Sequence, residues 1–254
     1  DQFGYGYKNP RAIKDFLFEA YSSWSKPKPK YLFLIGEANY DYKNKWLVTP
    51  AEKYQDLVSS FGFHVSDTWY VCFDSTGVNI PQMFVGRLPV SNNSQVLDYL
   101  AKHKGYLLRP FDFLNKRVLL FSGGSADKQS ELDQLRRANE EVDKIFASSD
   151  LKPRLNHFYK TTNPFSNFGP YSYDIVRDAI DSGAVYISYL GHSGTQTWDN
   201  GINSVQQLNN TNNGNPLIAD FGCSTAKFAE PDIKSFSEQF VSDINSEAIG
   251  YIGN

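Results

Sequence analysis

Two apolar runs that each end on a reactive side chain constrain the fold of this chain most. One covers residues 184–192 and ends on His192, and the other covers residues 216–223 and ends on Cys223. Short continuous apolar runs are typical of buried strands in a parallel sheet. Because ligands bind beyond the carboxyl ends of such strands, we expect the imidazole and the thiol to meet there as base and nucleophile.

Further apolar runs alternate with helical patterns along the rest of the chain. Predicted strands cover residues 31–36, 67–73, 83–90, 117–122, 155–159 and 248–252, and predicted helices begin near Pro10, Ser91, Gln129, Tyr171 and Phe236. In the second helix, the residues expected to face inward are Val96, Leu97, Leu100 and Tyr106. This alternation predicts right-handed βαβ crossovers and an α/β fold with a mostly parallel sheet flanked by helices.

A break in periodicity at residues 108–114, which include Pro110, suggests two lobes. We predict an N-terminal α/β lobe over residues 1–113 and a C-terminal catalytic lobe over residues 114–254. The chain opens without Met or a signal-peptide core and stops two residues past an apolar run. We therefore expect an internal or mature segment of a larger polypeptide that continues beyond Asn254.

Composition excludes two classes of partner. The chain has 254 residues, 41% of them hydrophobic, which is enough for a substantial core. A net charge of -3 and the lack of a basic stripe argue against nucleic acid. No apolar stretch approaches the roughly 18 residues that span a bilayer.

The remaining cysteine and histidines carry weaker signals. Cys72 lies among aromatic residues with no adjacent His, so we interpret it as a core residue that does not pair with Cys223. His64, His103 and His157 lack ligand spacing and are expected at the surface or as caps, and we predict no metal site. A lone Cys or His is more often structural, and only the joint placement of Cys223 and His192 favours catalysis.

Small and polar residues follow both reactive side chains and define the rest of the predicted site. Backbone N–H groups of Ser193 and Cys223 are placed to hold a developing oxyanion. Candidates for the substrate pocket are Trp198, Ser224 and Thr225.

Five motifs lie in the order seen in the gingipain-type cysteine peptidases, peptidase family C25. They cover residues 31–41, 84–89, 189–198, 222–228 and 249–253. The opening, residues 3–16, resembles the branch that includes the surface sortase of the type IX secretion system. The resemblance covers nearly the whole chain.

The resemblance implies a caspase-like fold of two α/β lobes, with His192 as base and Cys223 as nucleophile. It implies an endopeptidase or transpeptidase that acts on protein or peptide substrates through a thioester. No cofactor is required, although structural calcium occurs in relatives. It further implies a secreted or cell-surface protein of a Bacteroidetes-type bacterium, with a possible association with a secretion assembly.

Three departures from the family pattern keep an alternative open. Ser193 stands where the family usually has Gly, and Ala226 stands where Gly is common. The family places an acidic partner for the His after the strand that here ends at Gly124, and no carboxylate stands before Asp127. The alternative is a catalytically inactive scaffold or binding module of a surface or secretion machine.

Two further alternatives have weaker signals. Residues 122–125, Ser-Gly-Gly-Ser, follow a strand and could form a phosphate loop, but the chain lacks the Gly-rich fingerprint of nucleotide-binding loops. Exposed Trp and Tyr residues, Trp198 among them, could bind a glycan, although aromatic residues at strand ends mostly pack.

Overall fold

The structure is a computed structural model of the 254-residue chain. It describes residues 2–46, 50, 55–74, 77, 79–162, 173–199, 204–209, 213–243 and 248–254. Contacts divide the chain into two compact units. Unit 1 comprises Asp1–Asn93 and Phe228–Ile233, and unit 2 comprises Ser94–Lys227 and Lys234–Asn254. The predicted lobes, 1–113 and 114–254, stay a prediction, because grouping by contacts does not test which segments fold alone.

Where the structure describes unit 1, its regular elements are a helix, a pair of parallel strands and a 3₁₀ turn. Helix α1 is Pro10–Ser23, strands β1 and β2 are Tyr31–Ile35 and Phe84–Leu88, and the 3₁₀ turn is Asp67–Val71. Asn9 caps α1 by accepting the N–H of Arg11 at 2.9 Å, and Pro10 occupies the first turn, where a missing N–H does no harm. Leu17, Leu34, Tyr70, Val71 and Met83 form the core of this unit.

The segment 67–73 is not the strand that its β-branched and aromatic residues predicted. It forms the 3₁₀ turn instead, and Asp67 at its start pairs with Arg87 of β2. The guanidinium makes two bonds to this carboxylate, at 2.6 and 2.9 Å, and it also donates to the carbonyls of Gly36 and Val58. The tertiary ion pair therefore overrides the local β-propensity.

Unit 2 contains a five-stranded, fully parallel sheet in the order β4-β3-β5-β8-β9. Its strands are Arg117–Ser122 (β3), Arg154–Tyr159 (β4), Tyr186–Leu190 (β5), Leu217–Asp220 (β8) and Gly250–Ile252 (β9). A small antiparallel hairpin, Ser193–Gly194 (β6) with Thr197–Trp198 (β7), follows β5. The predicted α/β fold with a mostly parallel sheet is confirmed.

The helices described in unit 2 are α2 (Asn93–Leu108, which starts at the boundary with unit 1), α3 (Gln129–Ala147), α4 (Tyr173–Asp181) and α5 (Phe236–Ser242). Helix α3 packs against β3 and β4, and α5 packs against β9. Helix α2 exists as predicted, but its expected inward face is wrong: Leu97 and Leu100 are 65% and 53% exposed, and none of its residues is buried. The buried β3 residues Val118, Leu119, Leu120 and Phe121 show where the core of the unit lies.

The order of the strands fixes where a ligand crevice can form. From β3 the chain moves to β4 on one side and then returns to β5 on the other side. The carboxyl ends of β3 and β5 therefore flank a topological switch point, where loops leave in opposite directions and open a crevice. The chain after β3 leads to α3, and the chain after β5 carries His192.

Candidate active site

Neighbouring strands bring the predicted nucleophile and base to one edge of the sheet. In the parallel pairing of β5 with β8, Tyr189 lies opposite Asp220, and His192 and Cys223 each come three residues later. The N–H of Phe221 extends the pairing by donating to the carbonyl of Tyr189 at 2.9 Å. Beyond it, the Ser193 hydroxyl donates to the carbonyl of Cys223 at 2.8 Å. The two predicted residues therefore end adjacent segments.

The two cysteines differ in accessibility. Cys223 is exposed, and the side chain of His192 next to it in the fold is 61% exposed. Cys72, in contrast, is 6% exposed and its thiol donates to the carbonyl of Thr68 at 3.2 Å. The predicted core role of Cys72 is confirmed, and Cys223 is the thiol that solvent and substrates can reach.

A carboxylate that the sequence reasoning missed contacts the histidine. Oε1 of Glu131 lies 2.6 Å from Nε2 of His192. The same oxygen accepts the N–H of Ser125 at 3.4 Å, and the Glu131 side chain is 26% exposed. With Nε2 bound to Glu131, Nδ1 is the ring nitrogen left to face another group.

Opposing effects of burial and of its neighbours Ser125 and His192 set the pKa of Glu131. Desolvation, the largest, raises the pKa of this carboxyl group. The hydrogen bond from the Ser125 backbone and the interaction with His192 lower it, and together they leave the pKa below its ordinary value. The carboxylate form therefore persists beside the imidazole at neutral pH.

Local sequence patterns do not reveal that Glu131 lies close to His192. It stands in the first turn of α3, where a negative charge is favoured by the helix dipole, and α3 directly follows β3 at the switch point. Only the strand order shows that the first turn of this helix comes next to the end of β5. A carboxylate thus stands beside His192, supplied from seven residues beyond Gly124.

The residues proposed as a substrate pocket are placed unequally. Trp198 is 2% exposed, stacks on Tyr189 with a centroid distance of 4.5 Å, and so belongs to the core instead of a pocket wall. Thr225 is fully buried. Ser224 is partly exposed and adopts a left-handed backbone with φ 65° directly after the cysteine. Strained φ values in residues other than Gly cluster at functional sites.

A buried carboxylate shapes the turn that carries the cysteine. Asp220, 5% exposed at the end of β8, accepts the indole N–H of Trp198 at 2.7 Å and the N–H of Gly222 at 2.6 Å. The hydroxyl of Tyr251 donates to it as well. Three donors thus satisfy this carboxylate and hold Gly222 in the turn.

The phosphate-loop alternative is wrong, because the backbone amides it needs are already bonded. The N–H of Gly123 donates to Leu190 at 2.9 Å, that of Gly124 to Asp199 at 3.0 Å and that of Ser125 to Glu131. Ser122 is buried, and its hydroxyl lies 3.0 Å from Nε2 of His157. Two of the amides thus face carboxylates, which would repel a phosphate.

Among the residues that the structure describes, no group of three or more His, Cys, Asp or Glu side chains is arranged to hold a metal ion. In the same part of the chain, every helix is too short or too polar to cross a bilayer.

Comparisons with known proteins place this geometry in context. The family model described as "Peptidase family C25" matches residues 1–254. A solved structure described only as "Structure of Protease" has 18% identity and a TM-score of 0.71, over 96% of this chain and 49% of that one. No curated protein sequence matches the chain.

Two further structural matches carry more informative descriptions. The Arg-specific cysteine proteinase gingipain R (RgpB) has 18% identity and a TM-score of 0.63, over 94% of this chain and 51% of that one. The complex of Porphyromonas gingivalis RgpB pro- and mature domains has 17% identity and a TM-score of 0.68, over 96% and 54%. These likenesses show the caspase-like gingipain fold, and the chain spans about half the length of the solved relatives.

Proposed function

This chain belongs to peptidase family C25, and we propose that it is a cysteine peptidase in which Cys223 is the nucleophile and His192 the general base. The observation that carries the proposal is the exposed thiol one strand away from a histidine that is itself held by Glu131. A nucleophile, a base and a group that orients the base are the parts that acyl transfer by a thiol requires.

The proposed reaction uses each of these three groups in turn. Nδ1 of His192 takes the thiol proton, and the thiolate attacks the carbonyl carbon of a peptide bond. As the tetrahedral intermediate collapses, the imidazolium donates that proton to the departing amine, and a thioester with Cys223 remains. Glu131 fixes the ring and stabilises its positive charge during both transfers.

Backbone amides of Ser193 and Cys223 are the proposed donors to the oxyanion. The N–H of Asp199 bonds to the carbonyl of His192 at 3.1 Å, so the next residue pair of the hairpin, Ser193 with Trp198, is not hydrogen-bonded through its backbone. The Ser193 N–H therefore points away from the hairpin and is available to a substrate. Ser224 stays a candidate for the pocket wall.

Water or an amine can resolve the thioester, which gives hydrolysis or transpeptidation. We propose hydrolysis as the default, because both predicted residues are open to solvent. Mass spectrometry of products formed from a reporter peptide, with and without an added amino-terminal acceptor peptide, separates the two. A ligated product would establish transpeptidation.

One of the two observations that suggested an inactive scaffold no longer supports it. The missing acidic partner suggested it, and Glu131 occupies that role beside His192. Ser193 in place of the usual Gly is the observation that still supports the inactive scaffold. An inactive protein would keep the fold and leave Cys223 unreactive toward substrate-like reagents.

Covalent labelling tests the proposed nucleophile. We expect a peptidyl chloromethyl ketone to alkylate Cys223 in the folded protein, as located by peptide mass spectrometry. Cys223→Ala should abolish labelling, while Cys72→Ala should leave it unchanged because that thiol is buried. If the peptidyl reagent labels Cys223 no faster than iodoacetamide does, the result would favour the inactive scaffold.

The role of Glu131 has its own matched test. Glu131→Gln keeps the size of the side chain and removes the charge that steadies His192, so we expect kcat/KM to fall about a hundredfold. Glu141→Gln on the same helix is the control, because Glu141 is exposed and forms an ion pair with Lys144. Equal activities of the two variants, measured on a fluorogenic peptide, would refute the assignment.

The cellular location, the partners and the substrates of the peptidase are also proposals. The resemblance of residues 3–16 to the secretion-system sortase branch supports export to the cell surface and association with a secretion assembly. Protein substrates follow from the family. Fractionation of the native organism with an antibody to this chain tests the location, and recovery in the cytoplasm would contradict it.

A further inference from the structure

Asp199 contacts three separate segments of the chain, one of which carries His192. Its N–H donates to the carbonyl of His192 at 3.1 Å. One carboxylate oxygen, Oδ1, accepts the hydroxyl of Tyr189, and the other, Oδ2, accepts the N–H of Gly124 at 3.0 Å. Oδ2 also lies 3.5 Å from Nζ of Lys160. One side chain thus joins the ends of β3, β4 and β5.

Consecutive backbone amides connect this carboxylate to the one that touches the imidazole. The N–H of Gly124 bonds to Asp199, and the N–H of Ser125, the next residue, bonds to Glu131. Asp199 therefore holds the segment that positions Glu131 and, through its own N–H, the segment that positions His192. The distance between His192 and Glu131 therefore depends on both of the segments that Asp199 holds; we call the contacts of Asp199 and Tyr189 with these segments the link.

Tyr189 completes the link from within the sheet. It is fully buried on β5, and its hydroxyl lies within hydrogen-bonding distance of both the carbonyl of His192 and Oδ1 of Asp199. The N–H of Asp199 approaches the same hydroxyl at 3.2 Å. Burial first, and the charge of Asp199 second, raise the pKa of Tyr189, so the hydroxyl keeps its proton and can donate.

The packing leaves little freedom around these groups. A Cβ at Gly123 would come 1.9 Å from Oδ1 of Asp199 and 2.7 Å from the Tyr189 hydroxyl. A Cβ at Gly191 would come 2.7 Å from that hydroxyl and 2.8 Å from Cα of Gly123. Gly123 therefore lets the chain after β3 approach the Asp199 carboxylate, and Gly191 lets the chain after β5 approach the Tyr189 hydroxyl and Gly123, so a displaced Asp199 would disturb closely packed neighbours.

We propose that Asp199, together with Tyr189, is a positioning residue of the peptidase that sets the geometry of His192 against Glu131. In this proposal it acts through the segments that carry Glu131 and His192, and not by contact with the thiol or the substrate. This inference rests on the proposed function for its catalytic consequence, although the geometry it controls can be measured without any activity.

The test compares two variants of the link with a matched control. Asp199→Asn keeps the shape and replaces one acceptor oxygen by an NH₂ group, which cannot accept from Tyr189, Gly124 and Lys160 together. Tyr189→Phe removes only the hydroxyl and serves if the first variant fails to fold. Asp181→Asn is the control, because Asp181 is 8% exposed in the same unit and also accepts a backbone N–H, that of Asn209 at 2.9 Å.

The first measurement is independent of catalysis. In the wild-type chain, NMR of ¹⁵N-histidine-labelled protein should show a far-downfield ring N–H of His192 bonded to Glu131, assigned by its loss in Glu131→Gln. We expect this resonance to be lost or shifted in Asp199→Asn and Tyr189→Phe and retained in Asp181→Asn. A resonance unchanged in both link variants overturns the proposal.

The second measurement is kinetic. Misplacement of a catalytic group by about 1 Å costs up to about a hundredfold in rate, so we expect kcat of the link variants to fall about tenfold to a hundredfold with little change in KM. Wild-type kcat in both variants would overturn the proposal. If wild-type protein itself lacks activity, the proposed function fails, and the resonance alone decides whether Asp199 positions His192.

Discussion

At the scale of single residues, Gly222 shows how closely the two halves of the candidate site approach. A Cβ there would come 2.2 Å from the Ser193 hydroxyl and 2.9 Å from Oδ1 of Asp220. We expect Gly222→Ala to displace the cysteine turn and to destabilise the protein by about 1–3 kcal/mol. Urea unfolding measures the stability, and iodoacetamide labelling of Cys223 measures the displacement.

Gly194, in the hairpin that follows β5, provides the control. A Cβ there would meet only Cγ2 of Thr197, at 4.0 Å, which is an ordinary contact. Gly194→Ala should therefore leave both measurements close to the wild-type values. Equal losses in the two alanine variants would mean that the close approach at Gly222 has no special cost.

Residue-level predictions from the sequence succeeded where one strand decides the position. His192 and Cys223 follow apolar runs, so their delivery to a sheet edge could be predicted from periodicity. Glu131 could not, because its contact with His192 depends on which helix begins beside which strand. Trp198 lies in a polar loop sequence, and its burial arises from a bond to Asp220 and a stack on Tyr189.

At the scale of elements, the pairing of β3 with β4 half-buries a histidine that stays neutral at pH 7. His157 of β4 lies 3.0 Å from the Ser122 hydroxyl and near Asn139 of α3, so it is not the surface or capping residue predicted. Burial is the main cause that lowers its pKa from 6.5 to about 4, and Arg136 adds to the effect while Glu140 opposes it.

This histidine predicts a loss of stability in mild acid. Because the folded-state pKa lies below the unfolded value, the unfolded chain binds more protons as the pH falls from 6.5 toward 4. The stability present above pH 6.5 should therefore decline over that window, by up to about 3 kcal/mol. Urea unfolding at several pH values should show a shallower decline for His157→Gln, and identical slopes would contradict the role of His157.

Elements were predictable where the pattern and the tertiary environment agree. Helix α3 and strands β3, β5 and β8 follow their periodicity, and parallel pairing follows from their alternation with helices. The strand predicted over residues 67–73 is wrong, since no local sequence pattern indicates the pairing of Asp67 with Arg87. The exposed face of α2 likewise depends on contacts that periodicity does not specify.

At the scale of the whole molecule, the two thiols belong to different compact units and report on different events. Cys72 is buried in unit 1, and Cys223 is exposed in unit 2. We expect one equivalent of thiol to react quickly with a colorimetric disulfide reagent in native protein, and two in urea. The slow reaction of Cys72 should follow the unfolding of unit 1, and fast reaction of both thiols in native protein would contradict its burial.

Because β5 pairs with β8, the positions of His192 and Cys223 do not depend on the length of the chain that connects the two strands. Ladder hydrogen bonds, and not the connection, determine which residues stand side by side. Insertions or deletions in this connection that keep Asp199 in place should therefore leave the pair aligned while changing what surrounds it. This connection is where homologues can diverge in recognition at little cost, and where a foreign loop could be grafted to redirect selectivity.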